Sequence, residues 1–246
     1  MIISKRGLIV AGVLTLILGL LALFPARVAF QWFATPQIAI SGIQGTAWHG
    51  SASEASIGGL YVRNLSWQIK PLQLLTGSLT YRVAGTPPAG FFESDIGLSF
   101  GGSITLESLT AALPLGMFAF GGEFRGLEGD ASLKFTHIEL RQGWPVIADG
   151  TLQVANLVVP QAGRDALGGY KAEFFTQNNA IVASIEDTDG VVDLAGSLKI
   201  SSDRTFAFVG QVVAKPETPA SILQKMRFLP PADERGQHEL RLEGAF

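Results

Sequence analysis

Two hydrophobic patterns divide the chain. Residues 8–24 form an unbroken apolar run without a single charge. From residue 37 onward apolar and polar side chains alternate instead, as at Leu65, Trp67 and Ile69. Alternation of this kind is typical of β-strands that have one dry face and one wetter face. The two patterns predict an N-terminal helix followed by a mainly β region.

The apolar run, which begins at Leu8 and ends at Phe24, predicts a single transmembrane anchor. Seventeen residues of helix span roughly 25 Å, the lower end of what a bilayer core requires. Lys5 and Arg6 precede the run directly, so the positive-inside tendency places residues 1–7 in the cytoplasm. The inner membrane is then the expected location. The remainder divides into a juxtamembrane linker and a periplasmic β domain, over residues 25–35 and 36–246.

A cleaved signal peptide is the alternative to an anchor, because the run is short enough for either. Two small residues separated by one other residue should follow a signal sequence at its cleavage site. If Ala29 were the last residue before the cleavage site, Arg27 would occupy a position that requires a small residue. In the alternative alignment the bulky Val28 would occupy such a position. The flank therefore favours an uncleaved anchor.

Turn residues between the alternating stretches predict an antiparallel sheet. Asn178-Asn179, Asp189-Gly190 and the turn at residues 201–203 separate four consecutive strands, so residues 170–215 read as a four-stranded meander. Similar spacing upstream gives about twelve to fourteen strands in all. No helical crossover long enough for parallel pairing is apparent. We expect a large, curved, mostly antiparallel sheet or sandwich-like domain.

One strand interrupts this alternation. The apolar phase shifts between Phe135 and Ile138, which predicts a β-bulge near Thr136 and His137. A strand that passes from one covered face to another would look the same.

A short amphipathic helix is expected near the C-terminus. Thr218 is placed to cap it and Pro219 suits its first position. Three apolar residues then form a stripe that predicts packing against the core, and Pro230-Pro231 ends the helix. The stripe consists of Ile222, Leu223 and Met226.

Composition narrows the possible functions. With Lys5, Arg6 and Arg27 set aside, 15 of the 18 basic residues remain against 21 acidic ones, so the exported part carries about −6. This charge argues against nucleic acid and against docking on an anionic membrane surface. The chain has no cysteine, which excludes disulfides, thiolate metal sites and a cysteine nucleophile.

The residues that could carry catalysis do not form recognisable motifs. His49, His137 and His238 are scattered and show no metal-ligand spacing. No nucleophile elbow or phosphate-binding loop occurs. Asp187 and Asp189 resemble part of a calcium loop, but the first aspartate and the distal glutamate are missing, and a hairpin turn explains them. We therefore predict no enzymatic activity, no cofactor and no metal site.

Three stretches, at residues 41–50, 65–79 and 143–152, resemble the type II secretion system N protein family. That family is a single-pass inner-membrane accessory of the machine that exports folded proteins across the outer membrane. The resemblance implies other type II secretion subunits as partners and a structural role for the shared residues. These are Gly45, Trp48, Gly50, Trp67, Pro71, Gly77, Trp144, Pro145 and Gly150.

Two functions remain open from the sequence. One is a non-enzymatic component of the secretion apparatus. The other is an envelope lipid-binding or lipid-transport protein whose curved sheet offers an apolar groove to acyl chains. The tryptophans Trp48 and Trp67 fit a core role, each burying about 150–250 Å², or the docking of a partner by one exposed ring. A scaffold should close its apolar face, whereas a lipid groove must keep it open.

Overall fold

The computed structural model describes residues 5–33, 38–57, 60–117, 126–160, 163 and 165–245. Its α-helices are α1 (Lys5–Ala22), α2 (Ala26–Phe33) and α3 (Ala220–Met226), and its 3₁₀ helices are Pro71–Thr76 and Leu115–Met117. The segment predicted as a linker thus contains α2. Residues 34–37, where that linker meets the predicted domain, lie outside the described residues, as does Phe246.

Fourteen strands make up most of the molecule. They are β1 (Ile38–Ser41), β2 (Gln44–Gly45), β3 (His49–Ile57), β4 (Leu60–Ile69), β5 (Ser78–Thr86), β6 (Phe91–Ser99), β7 (Ser103–Pro114), β8 (Glu128–Arg141), β9 (Trp144–Val158), β10 (Tyr170–Gln177), β11 (Ala180–Asp187), β12 (Val192–Ser201), β13 (Thr205–Ala214) and β14 (His238–Ala245). They join one sheet in the order β1-β3-β4 and so on to β14, with β2 paired to β3 alone. The predicted β class and strand number are confirmed.

The sheet grows by successive antiparallel hairpins. Strands β10 to β13 pair in turn, as the predicted meander requires. The register between β8 and β9 shifts between Phe135 and His137, which confirms the predicted bulge. The described strands form one open sheet rather than two facing sheets, because from β3 onward each strand pairs with the next in sequence and β1 and β14 do not meet.

The sheet bends sharply at β10. Some Cα atoms of β9 and β11 lie within 8 Å of each other, although two strand spacings in a flat sheet amount to about 9.6 Å. Phe135, Ala148 and Ile181 pack together beside Phe174 on the inside of this bend. Curvature therefore buries a small core without a second layer.

A helix forms over most of the predicted anchor, but it does not qualify as a membrane span. Within the part of the chain that the structure describes, no helix is both long enough and apolar enough to cross a membrane. The 18 residues of α1 extend about 27 Å, and the first two, Lys5 and Arg6, are charged. The predicted transmembrane anchor is not supported by this finding.

Helix α3 forms where a short helix was predicted, but its cap differs. Pro219 occupies the N-cap position and no side chain caps the helix. The Thr218 hydroxyl is already engaged, because it donates to the Val191 carbonyl at 2.5 Å and accepts from the Lys215 amide at 2.7 Å. Ile222 is buried as predicted. Met226 is buried with it against the end of the sheet formed by the last strands, whereas Leu223, the third residue of the predicted stripe, is exposed.

Candidate functional site

One side of the sheet is apolar along nearly its whole width. The strand registers place apolar side chains next to one another across successive hairpins. We call this side the apolar face. Among its described strand residues only Asp187 is charged, and that residue lies at the end covered by α3. Representative members are Leu65, Val83, Phe92, Leu109, Phe174 and Leu198.

Helices cover the apolar face in two places. Helix α2 packs Ala26 and Phe30 onto the strands that carry Val62 and Leu65. Helix α3 covers the other end, where Ile222 and other side chains meet the last strands. At both places the sheet and a helix together form a closed core.

Part of the face between these helices lies uncovered. Leu79 pairs with Leu98, Leu98 with Ile104, and Ile104 with Leu140, so the four form one row across β5 to β8. We call these four residues the open row. Leu98 is 48% exposed, whereas Val62 under α2 is 1% exposed. The open row thus departs from an ordinary closed core, as does Leu242 on β14, which is 49% exposed.

The predicted tryptophans and glycines of β2 to β4 converge where α1 joins the sheet. Gly50 lies against the ring of Trp67, and an added Cβ would meet ring atom Cε2 at 2.8 Å. The Trp67 indole donates to the Thr46 carbonyl at 3.2 Å. Gly45 adopts φ +86°, in the left-handed region that favours glycine. Trp67 is half-buried and packs on the α2 core, in keeping with its predicted core role.

Trp48 lies beside the end of α1. Its indole donates to the Leu21 carbonyl near the end of α1 at 2.6 Å. The neighbouring Ala47 amide donates to the Phe24 carbonyl at 2.8 Å. These bonds join the last turn of α1 and the residues that follow it to the segment between β2 and β3. The loop between β2 and β3 thus fastens the helix to the sheet. We call the contacts of Trp48 and Ala47 with Leu21 and Phe24 the α1 junction.

Contacts that the sequence analysis missed strengthen the same junction. Arg27 donates from Nε to the Ile43 carbonyl at 2.9 Å, and Pro25 forms an isolated bridge with Thr46. Each contact joins residues far apart in the chain, the first from a side chain to a backbone carbonyl and the second between two backbone segments. No residue-type pattern in the sequence indicates them.

Pro71 and Gly77 delimit the connection from β4 to β5. Pro71 opens the 3₁₀ helix Pro71–Thr76, and Gly77 closes it in the left-handed conformation with φ +82°. The Gly77 amide donates to the Leu74 carbonyl at 3.2 Å. Only a residue without Cβ adopts this conformation at no steric cost, which accounts for glycine here.

The remaining predicted residues lie elsewhere, on β9. Trp144 begins that strand, and the Arg204 guanidinium lies 5.7 Å from its ring centroid, within reach of a cation–π contact. Pro145 pairs with Leu140. Gly150 pairs with Phe135, and an added Cβ would lie 2.5 Å from the Phe135 Cα. These three residues shape β9 and are not part of the α1 junction.

The opposite face carries ion pairs. Asp95 is buried there between Lys70 and Arg82, and Arg82 donates from Nε to it at 3.0 Å. Burial of Asp95 opposes its charge, but the hydrogen bonds from Arg82 and Lys70 outweigh burial and lower the pKa of the carboxyl. The charged network ties β5 to β6 on the face opposite the apolar face.

A second ion pair lies beneath α3, at the end of the sheet formed by the last strands. Lys215 donates to Asp187 at 2.6 Å. Burial opposes the charge of Asp187, but bonds from Lys215 and the Leu194 amide outweigh it and lower the pKa of that carboxyl. Burial also raises the pKa of Tyr170 nearby to about 12. These groups are paired or packed, which is the pattern of a structural site.

The histidines and carboxylates do not assemble into a reactive centre within the described ranges. His49, His137 and His238 lie on β3, β8 and β14. The described residues contain no group of three potential metal ligands. The features that stand out are instead surfaces: the open row and the α1 junction.

Comparison with known proteins gives two matches. The family model for type II secretion system protein N matches residues 36–241. The type II secretion system protein N of Vibrio cholerae serotype O1 is 23% identical over 240 residues, which cover 89% of this chain and 90% of that protein. No solved structure matches the chain.

Proposed function

Because the chain belongs to the type II secretion system protein N family, we propose that it is a non-enzymatic component of a type II secretion apparatus that supports export of folded proteins across the outer membrane. The observation that carries this proposal is the family match, which runs from residue 36 to residue 241. The matched residues include all of β1 to β13 and the first part of β14. The resemblance seen in the sequence is thereby confirmed.

We further propose that α1 holds the protein at the inner membrane, with residues 1–7 in the cytoplasm and the sheet in the periplasm. The large apolar side chains of α1 are exposed on all sides of the helix, among them Leu8, Ile9 and Leu16. Such a helix is unfavourable in water and compatible with lipid. Leu23 and Phe24 extend the apolar stretch beyond the helix end.

Membership in the secretion family implies contact with other secretion subunits, and the outer edge of β14 is suited to it. Within the described strands β14 pairs only with β13, so half of its backbone groups face outward. An extended segment of a partner can add to such an edge by main-chain hydrogen bonds. Glu239, Arg241 and Glu243 alternate along the strand and would set the register of a charged partner.

A crosslinking experiment tests this contact. A photoreactive amino acid at Arg241 of the full chain, expressed in its own secreting bacterium, should crosslink to a secretion subunit. The same probe at Thr110, on β7 inside the sheet, is the matched control and should not. Equal crosslinking from both positions, or crosslinks only to proteins outside the apparatus, would contradict the edge as the docking place.

The function itself is tested by complementation. Deleting the gene should reduce export of folded substrates, and the full chain should restore it. A chain in which α1 is replaced by a cleavable signal sequence should restore export poorly, because it is no longer held at the membrane. Full restoration by that variant would argue against a need for the anchor.

Lipid binding is the second candidate function, and the open row favours it. The row lies in an uncharged part of the apolar face and is uncovered, as an acyl-chain groove requires. Leu98→Asp places a charge in the row, whereas Thr110→Asp places one on the opposite face between Glu93 and Lys134. If the groove holds lipid, phospholipid should co-purify with the wild type and with the Thr110 variant but not with the Leu98 variant. Equal retention of lipid by the wild type and by both variants would contradict lipid binding at the open row.

A further inference from the structure

Three of the most exposed large apolar side chains lie together at one end of the sheet. Leu72 is 78% exposed, Leu75 85% and Phe100 86%. The first two lie on the 3₁₀ helix between β4 and β5, and Phe100 on the turn between β6 and β7. We call these three residues the apolar rim. Isolated exposed leucines are common, but a cluster at loop tips marks an interaction surface.

The rim is held in place by local structure. Ser78 and Thr76 each donate a hydroxyl bond to the Gln73 carbonyl, at 3.2 and 2.8 Å, so the 3₁₀ helix is fixed at its base. Phe100 lies over Gly77, with ring atom Cδ2 3.7 Å from the place of an added Cβ. The two loops therefore present one surface.

Hydrogen bonds connect this end of the sheet to α1. The Trp48 indole bonds to the Leu21 carbonyl, and the Trp48 carbonyl accepts from the Ile69 amide at 2.7 Å. The 3₁₀ helix of the rim starts two residues after Ile69. Leu23 and Trp32, which flank the same junction, are also exposed. These hydrogen bonds join the end of α1 to the strand that leads into the rim.

Other turns at the same end of the sheet become polar with distance from α1. The turns beyond β8, β10 and β12 consist of Gln142-Gly143, Asn178-Asn179 and residues 202–204, which are Ser, Asp and Arg. The rim loops at residues 71–77 and 99–103 contain no charge at all. An uncharged apolar rim beside an apolar helix, with polar turns further away, is the distribution expected when only the near loops contact lipid.

We propose that the apolar rim inserts into the membrane surface beside α1, so that the sheet contacts the bilayer through Leu72, Leu75 and Phe100 as well as through the helix. The occupant is the boundary between phospholipid headgroups and acyl chains. This inference rests on the proposed membrane placement of α1. Because the rim is uncharged and the exported part is acidic, insertion is apolar in origin and should be insensitive to salt. The open row begins directly behind the rim, at Leu79 and Leu98.

The absence of cysteine from the chain allows a direct test. Single cysteines at Leu75, Phe100, Asn178 and Leu14 of the full chain are labelled with an environment-sensitive fluorophore. The labelled proteins are reconstituted into phosphatidylethanolamine–phosphatidylglycerol vesicles with or without lipids that carry a quencher. Asn178 is the matched control at a polar turn, and Leu14 reports on α1 itself.

We expect blue-shifted emission and loss of fluorescence to the lipid quencher at Leu75, Phe100 and Leu14, with Asn178 unaffected and no change at high salt. Quenching at Leu14 but not at Leu75 or Phe100 would overturn the rim while leaving the membrane placement of α1 intact. No quenching at any position would overturn both. A second variant, Leu72→Asn with the label at Phe100, should lose part of the quenching, and unchanged quenching there would count against the rim as one surface.

Discussion

The part of the apolar face under α2 and the open row come from the same alternating sequence pattern, yet one is closed and the other is not. Val62 and Leu65 lie beneath Ala26 and Phe30 of α2. Leu98 occupies an equivalent inward position on β6, but none of the described helices lies above it. The difference shows that alternation determines which face a side chain is on, whereas a distant segment determines whether that face is buried.

The largest effect is expected where the face is closed. Trp67→Ala removes a ring that packs on the α2 core and bonds to the loop holding α1. It should lower the free energy of unfolding by about 3–5 kcal/mol, as large aromatic truncations in cores do. Leu98→Ala in the open row is the control and should cost less than about 1 kcal/mol. Chemical denaturation of both variants measures the difference, and equal losses would remove the distinction between the two regions.

The end beneath α3 should behave like the region under α2, on a smaller scale. Met226→Ala removes a buried side chain and should lower the free energy of unfolding by roughly 2–4 kcal/mol. Leu223→Ala changes an exposed residue of the same helix and should cost less than about 1 kcal/mol. Comparable losses for both variants would show that α3 does not cover the sheet as described.

The sequence predicted those features that depend on neighbouring residues. The meander, the number of strands and the bulge at Thr136 and His137 follow from alternation and turn chemistry, which are local. The partners of Trp48 and Thr218 were not predictable in this way. Trp48 bonds to α1 and Thr218 to the Val191 carbonyl, and both bonds depend on how distant segments meet. The apolar run at residues 8–24 shows the same limit. Its hydrophobicity predicts a helix, but it does not determine where that helix ends.

A smaller effect is expected on the opposite face of the sheet, where ion pairs join β5 to β6. Asp95→Asn removes the charge shared by Lys70 and Arg82 and should lower the free energy of unfolding by about 2 kcal/mol. Because its partners lower the folded-state pKa of Asp95, its contribution is complete at neutral pH and is lost as the pH falls below about 4. Glu93→Gln, which alters an exposed pair, should cost less than about 0.5 kcal/mol. A variant at Asp95 with unchanged acid sensitivity would contradict this assignment.

The central claim is that the protein acts through contacts with other subunits of the secretion apparatus. The most direct measurement is purification of the tagged full chain from the envelope of its own bacterium, followed by native mass spectrometry and lipid analysis. We predict that identified type II secretion subunits co-purify in stoichiometric amounts. Stoichiometric phospholipid with no secretion subunit retained would contradict the claim and leave lipid binding by the open row as the function.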